Sequence, residues 1–536
     1  MKSKVLLLVI IFLAAILRFY NLGSLPPSLD WDEAAWGYNA YSLGIDGRDE
    51  FGRFLPLDYL ESFGDFKPPV YAYLDVLPVK ILGLNEFSTR FPSALFGTLT
   101  VLLTYFLVKE IFTSSKRKEL YALFSALFLA LSPWSIMLSR AAFEANVSTF
   151  FIVFGVYLFF KAINSDRKYL IFSFVSFVVS FYTFNTARIV SPVLLFLLLA
   201  IFIKKLLSSK KELLIAIGIS IVLILPVTKF MLSSDATLRF REVNIFSDPS
   251  VAALVNKEIQ NDNGSLLSKI IHNRRFVYSA LFLQHYFDNL SPSFLFIKGD
   301  GNPKFSTQDV GEMYLWDLPF FIFGIFLLFR KRENHWWILP LWLIIAIIPA
   351  ATARETPHAL RIETTLPTFQ VLTAYGFVQV IEKFKKYKTH VLSIFLFILF
   401  LNVLYFLHGY LTYYAKEFSG EWQYGYKDSI NYVLKNLSKY NQVNISETLG
   451  RPYIYYLFYS KEDPRVYRKT AIIKRDANGF VDIGGYGKFR FAKDLGKLRG
   501  KGFLFIDSPN RLPAKGYVLK TFYLLNGDPI LIAYVI

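Results

Sequence analysis

The chain is predicted to be an α-helical membrane protein with about eleven transmembrane helices, interfacial helices in its first outer loop and a small C-terminal α/β domain outside the membrane. Three observations predict this. Of its 536 residues 54% are hydrophobic and 18% aromatic, more apolar material than a soluble domain of that length needs for its core. Apolar runs of spanning length recur at 5–20, 90–108, 120–138, 146–160, 169–185, 189–203, 213–231, 316–329, 336–351, 364–381 and 391–408. From residue 425 that pattern stops, and β-rich runs such as KGFLFIDS and GYVLKTFYLL alternate with helical ones such as YKDSINYVLKNL.

The first run, in MKSKVLLLVIIFLAAILRFY, has the charged flank of a secretory signal but no small-x-small cleavage site, so it reads as a retained helix. With the N-terminus cytoplasmic, the segments left inside are 1–4, 109–119, 161–168, 204–212, 330–335 and 382–390. Together they hold 20 Lys/Arg against 6 Asp/Glu, whereas the first outer loop, 21–89, holds 11 Asp/Glu against 4 Lys/Arg. The net charge of +18 is therefore a positive-inside topology signal, and nucleic acid is excluded as a partner. Cysteine is absent, which excludes disulfides, thiolate nucleophiles and Cys-ligated metal.

Three outer segments are too long to be connectors: 21–89, 232–315 and the tail after 409. In the first, PPVYAYLDVLPVKILGL is apolar on part of its circumference but interrupted by Asp75, Pro78 and Lys80, which suits a helix lying at the interface. The expected division is a transmembrane catalytic domain, 1–410, and an extracytoplasmic α/β domain, 420–536, whose role no motif reveals.

Residues able to do chemistry cluster at the outer helix ends. Asp32 and Glu33, in SLDWDEAAWGYNA, offer a base for a hydroxyl proton, with a neighbouring carboxylate to tune it or to help hold a divalent cation such as Mg or Mn. Such an acidic dipeptide can equally be solvated surface. Asp30-Trp31-Asp32 also matches the Asp-x-Asp that holds a metal-nucleotide, but sugar nucleotides are cytoplasmic and this loop is outside, so no nucleotide is expected. Lys67, before Pro68 and Pro69, sits where the prolines open the interfacial helix, and either binds an anion or snorkels. Arg140 and Glu144 share the tight second outer turn, where they can pair with each other. Arg188, Arg354, His358 and Arg361 lie at outer ends of later spans, against the positive-inside trend. Cations retained there answer an anion, either a phosphate or headgroups. His272, His285 and His408 lack ligand-like spacing and read as structural.

Taken together these landmarks resemble the GT-C superfamily of membrane glycosyltransferases, specifically the relatives of the dolichyl-phosphate-mannose protein mannosyltransferases and the lipid A aminoarabinose transferase. The resemblance covers residues 1–410 and rests on Asp32-Glu33 in WDEAAWGYNAYSL, Lys67-Pro68-Pro69 followed by RFPSALFGTLTVLLTYFL, Glu144 where many relatives have Asp, and the segments FLFIKGDGNPKFS and PHALRIETTLP. It implies inverting transfer of a sugar from a polyprenyl-phosphate donor to a hydroxyl of a protein, lipid or glycan, on the outer face of the plasma membrane. It also implies Asp32 as general base, with Lys67 and the outside arginines on the departing phosphate. A transporter or flippase is the alternative, and it predicts charges near mid-span and broken helices in matching halves.

Overall fold

Every one of the apolar runs lies on a helix. The computed structural model describes residues 2–233, 236–237, 243–475 and 481–536. Its apolar helices are Lys2–Phe19, Glu86–Ile111, Lys118–Leu131 with Pro133–Ser139, Glu144–Asn164, Tyr169–Phe181, Ala187–Leu206, Lys210–Met231, Asp317–Lys331, Ile338–Ala351, Thr368–Lys383 and Lys388–Thr412. Among the described residues, length and composition alone qualify Glu86–Ile111, Glu144–Asn164, Ala187–Met231 and Lys388–Thr412 to cross a bilayer. The pair Lys118–Leu131 and Pro133–Ser139, bent by 58°, is a fifth if it counts as one broken span. Eleven crossings are thus not reached by helix length. Tyr169–Phe181 has 13 residues and Ile338–Ala351 has 14, about 20 Å of helix against a hydrocarbon core of about 30 Å.

Contacts group the chain into two units. The first comprises Met1–Ala14, Phe96–Leu138 and Ala145–Phe406. Its tightest helix crossing joins Asp317–Lys331 to Thr368–Lys383 at Gly324 and Gly376. A Cβ on Gly376 would overlap the Phe320 carbonyl oxygen, and one on Gly324 that of Leu372, so only glycine lets these backbones approach. Of the apolar windows in Ala187–Met231 and Lys388–Thr412 only 17% is buried, against 72% in Glu144–Asn164; the former two leave most of their apolar surface uncovered by protein. The long loop expected outside, 232–315, includes helices Pro249–Asn261, Leu266–Ile271 and Arg274–Asp288.

The second unit comprises Ala15–Leu95, Ser139–Glu144 and Leu407–Ile536, so the acidic loop 21–89 and the C-terminal tail share one body. The loop supplies helix Trp31–Asp46, the antiparallel hairpin β1 (Leu60–Ser62) and β2 (Asp65–Lys67), and helix Val70–Leu82. That last helix is two-faced: Tyr71, Ala72, Asp75 and Val79 are buried while Leu77 and Ile81 are 64% and 69% exposed. The tail forms a seven-stranded sheet from β3 (Gln442–Ser446), β4 (Ile472–Arg475), β5 (Val481–Tyr486), β6 (Phe489–Ala492), β7 (Phe503–Asp507), β8 (Tyr517–Tyr523) and β9 (Pro529–Val535), in the order β4-β5-β6-β3-β7-β9-β8. β3 runs parallel to both neighbours; the other pairings are antiparallel.

The tail braces the loop. In helix Pro452–Ser460, Phe458 packs where Gly37 leaves room beside helix Trp31–Asp46, and the Tyr38 hydroxyl donates to the Glu462 carbonyl at 3.1 Å. Arg468 pairs with Asp46, and Arg475 pairs with both Glu61 oxygens at 2.6 and 2.9 Å. A loop with an excess of carboxylates is thereby tied down by tail arginines.

The sheet also carries a titration signature. Burial and the neighbouring Asp482 carboxyl raise the Glu447 carboxyl to about 7. Its proton is therefore retained by the folded chain at pH values where an unfolded chain releases it, so its contribution to stability is fully present below the ordinary carboxyl range. That contribution declines as pH rises from there toward 7. Thermal melts of the detergent-purified protein should show this decline, and Glu447→Gln should flatten it; identical pH profiles for the two proteins would contradict the assignment.

Candidate active site

Asp30 ends the approach to helix Trp31–Asp46 as its N-cap. Its side chain accepts from Glu33 N at 2.9 Å while Glu33 Oε2 accepts from Asp30 N at 3.0 Å, a reciprocal capping box. Because successive helical residues are turned about 100° apart, the adjacent acids Asp32 and Glu33 face different ways and meet different partners.

Glu33 is fully buried. Its Oε1 accepts from Arg90 Nε at 2.8 Å and from Ala142 N at 2.9 Å, and Oε2 accepts from Arg90 Nη2 at 3.0 Å. Arg90, also fully buried, donates further to the carbonyls of Leu22, Pro26 and Ser28. A buried ion pair is tolerable when every donor and acceptor is matched, and this one is. Glu33 thus serves as the anchor of helix Trp31–Asp46, with no oxygen left over for a cation.

Asp32 has a side chain 44% exposed, and its Oδ1 accepts from the Lys67 ammonium. Lys67 is the last residue of β2, held in place by the hairpin register Leu60↔Lys67, and the prolines behind it start helix Val70–Leu82. The hairpin turns on Phe63 and Gly64, both with left-handed φ (61° and 80°), the backbone a two-residue β-turn of this hand needs. The Arg451 guanidinium from the tail covers the Phe63 ring at 4.2 Å. The Lys67 ammonium lies over the rings of Trp36 (5.2 Å) and Phe63 (5.6 Å). Burial pulls the ammonium's pKa down, but Asp32, Asp65 and Glu144 together push it above the ordinary value, so it stays charged. Asp32, Lys67, Asp65 and Glu144 therefore form one electrostatic group.

Arg140 does not pair with Glu144. Only 1% exposed, it donates from Nη1 to the carbonyls of Leu17 (2.8 Å) and Arg18 (3.3 Å), from Nη2 to those of Tyr20 (2.8 Å) and Leu25 (3.0 Å), and from Nε to the Tyr410 hydroxyl (3.2 Å). With its donors so engaged it clamps the loop entry, and geometry offers it no free edge for a phosphate.

The remaining cations belong to the other unit. The Arg188 guanidinium lies over the Phe181 and Phe230 rings. Arg354 donates to the Asn244 carbonyl at 3.1 Å and approaches Asp248 at 3.6 Å, beside a cavity of about 540 Å³ walled by Val251, Leu254, Val277 and Leu281. Arg361 donates to the Glu355 carbonyl at 2.9 Å. His358, pushed down to about 3 by burial and by Arg361, is neutral and is no cation for an anion. It lies 3.8 Å from Asp300, whose carboxylate accepts from Ala359 N at 2.7 Å and is raised to about 6 by burial. The expected structural histidines are engaged locally: His272 with Glu258 and Asp262, His285 with the Ala353 carbonyl, and His408 against Tyr413.

Sequence reading missed Arg90, Asp65 and Trp36. Arg90 had a usable signal, since it too is a cation at an outer helix end, and the Asp30-x-x-Glu33 spacing is legible as a capping box. Among the described residues no three His, Asp or Glu side chains converge as a metal-ligand set.

Residues 66–230 match the family model of dolichyl-phosphate-mannose-protein mannosyltransferase, a segment that begins beside Lys67 and includes Arg90 and Glu144. Over 99% of its length the chain superposes on 98% of ArnT from Cupriavidus metallidurans in the apo state, with a TM-score of 0.57 at 11% identity. The fold is that of ArnT, and residues 66–230 are mannosyltransferase-like. The same protein bound to undecaprenyl phosphate matches with a TM-score of 0.52 at 13% identity over 99% of this chain and 97% of that one. Among curated relatives, an uncharacterized protein of Aquifex aeolicus is 36% identical over 172 residues, 32% of each chain. The putative mannosyltransferase YkcB of Bacillus subtilis is 29% identical over 120 residues, 22% of this chain and 16% of that protein. The chain thus spans about a third or less of the length of the curated relatives it matches. Likeness to an integral membrane fold and the apolar helices make this an integral membrane protein.

Proposed function

We propose that the chain is an inverting glycosyltransferase that moves a sugar from a polyprenyl-phosphate donor to an acceptor hydroxyl at the outer face of the plasma membrane. The observation that carries this reading is the Asp32–Lys67 pair: a part-exposed carboxylate and a buried, charged lysine held together on the acidic loop. Asp32 removes the acceptor proton as the acceptor oxygen bonds to the anomeric carbon. The bond from that carbon to the phosphate oxygen breaks, and its electron pair leaves with the polyprenyl phosphate. The Lys67 ammonium turns from Asp32 to the charge growing on that oxygen, the charge that most needs stabilising. Likeness to a fold solved with undecaprenyl phosphate supports the lipid donor; a mannosyl group is suggested only by the distant YkcB match. No step here runs through a cation. Were Mg or Mn to bind, Asp32 would be its ligand without Glu33, and chelation would then depress turnover. The transporter reading is disfavoured because Asp32 and Lys67 lie on loop elements outside the spans.

In this scheme residues 1–410 form the catalytic domain and 420–536 an extracytoplasmic domain that braces it, with eleven crossings and a cytoplasmic N-terminus. Reporters fused after residues 118, 300 and 536 should read inside, outside and outside; a cytoplasmic signal at 536 would overturn the scheme.

The reaction is tested by incubating membranes that contain the protein with a labelled polyprenyl-phosphate sugar and measuring release of the free polyprenyl phosphate. Lys67→Ala removes a charge-assisted contact of about 1.5–3 kcal/mol, so release should fall roughly tenfold to a hundredfold, with Lys67→Arg intermediate. Unchanged donor affinity and turnover in Lys67→Ala would take phosphate binding away from this residue.

A further inference from the structure

The outer-loop segment around Leu266–Ile271 has an apolar face that no part of its own unit covers. Leu266, Leu267, Ile270 and Ile271 are 78%, 66%, 62% and 54% exposed, and Phe276 and Phe287 in the next helix are 69% and 62% exposed. A contiguous apolar surface of this kind marks a place where something docks. Charge limits what can dock. From residue 263 to 287 the chain has Lys269, Arg274 and Arg275 and no Asp or Glu, and the nearby acids Glu258 and Asp262 are engaged by His272, so the charges carried by this stretch itself are cationic.

Placement is fixed by the neighbouring helix. Arg274–Asp288 runs beside Ile338–Ala351: its Tyr286 hydroxyl donates to the Ile344 carbonyl at 3.1 Å and its His285 ring nitrogen meets the Ala353 carbonyl at 2.8 Å. Ile344 lies seven residues before the end of that apolar helix, about 10 Å along its axis. The Tyr286 end of Arg274–Asp288 is therefore held alongside the middle of an apolar helix, which brings this loop element next to a surface suited to lipid.

We infer that Leu266–Ile271 and Arg274–Asp288 form a monotopic element. Leu266, Leu267, Ile270 and Ile271 insert into the outer leaflet, and Lys269, Arg274 and Arg275 rest on anionic phospholipid headgroups. The occupant is the lipid surface itself. This rests on the outward placement of the 232–315 loop proposed above; the reporter at residue 300 tests that placement separately, so its failure and the failure of insertion are distinguishable.

The chain has no cysteine, so single-cysteine variants of the full-length protein label cleanly. Leu267→Cys and, as a water-facing control, Asn261→Cys are labelled with an environment-sensitive fluorophore. The protein is placed in nanodiscs of phosphatidylcholine with or without phosphatidylglycerol, containing spin-labelled lipid as quencher. Quenching at 267 should exceed that at 261 by roughly twofold or more, iodide should reach 261 and spare 267, and phosphatidylglycerol should deepen the quenching at 267. Reversing Lys269, Arg274 and Arg275 to Glu should abolish the phosphatidylglycerol effect. Equal lipid quenching at the two sites overturns insertion. A probe at 267 shielded from iodide yet untouched by spin-labelled lipid would mean that protein covers the face, and it also overturns the proposal. Quenching indifferent to phosphatidylglycerol and to charge reversal removes the headgroup contact.

Discussion

Asp32→Asn should lower sugar transfer by about a hundredfold to ten-thousandfold, the usual contribution of a general base, while expression, detergent stability and donor binding stay near those of the parent protein. The amide keeps the shape of the carboxylate and can still accept from Lys67 through its oxygen, so the local fold is not put at risk. What it cannot do is take the acceptor's proton. The part-exposed position of Asp32 at the first turn of its helix makes this separation feasible, since its buried partner Lys67 keeps the neighbouring carboxylates of Asp65 and Glu144 when the Asp32 charge is removed. Measured by release of free polyprenyl phosphate and by donor binding in parallel, the variant should bind and fail to turn over. Transfer within about tenfold of the parent by Asp32→Asn, far above the general-base expectation, together with inactive Glu144→Gln, would move the base to Glu144, which belongs to the same electrostatic group.

The Glu33–Arg90 pair should behave in the opposite manner. Glu33→Ala or Arg90→Ala strands one charge among groups that are fully buried, and removing a single partner of such a pair costs about 3–5 kcal/mol. Each single variant should therefore melt well below the parent protein in detergent, with activity lost in proportion to folded protein. The double variant should be less damaged than the sum of the two singles, because neither orphaned charge remains. Additive losses would show that the two residues act independently and that the pair is not the anchor of the helix. Comparing the two adjacent acids is thus a sharp experiment: one substitution should abolish chemistry in a stable protein, the other should destabilise the protein that performs it.

Arg140 illustrates why an outer-end cation is an ambiguous sign. Its placement against the positive-inside trend suggested an anion, yet its donors terminate on four backbone carbonyls and a tyrosine hydroxyl. Carbonyl oxygens of an irregular loop near a membrane need donors as much as a phosphate does. His358 makes a similar point, since burial leaves it neutral where position alone suggested a cation.

The amino-acid sequence determined the membrane class, the position of the helices, the stretch in which an acid and a lysine would be found and, as an expectation that the reporter fusions test, the sidedness of the loops. These follow from signals carried within one segment: apolar runs, the balance of charge between loops, and prolines at a helix start. It did not determine how many helices cross, because local hydropathy says where a helix is apolar and not whether 13 or 14 residues of it suffice. Nor did it divide the work between Asp32 and Glu33, which are equivalent in a linear reading. Tertiary structure decided that by bringing Arg90 from 57 positions away to Glu33 and Lys67 from 35 positions away to Asp32. It likewise seated the tail against the first outer loop, where Arg468 and Arg475 meet Asp46 and Glu61 across more than four hundred residues. Such pairings are chosen by the packing of whole elements, whose burial makes an unmatched charge too costly to leave, and no periodicity within either segment encodes the partner.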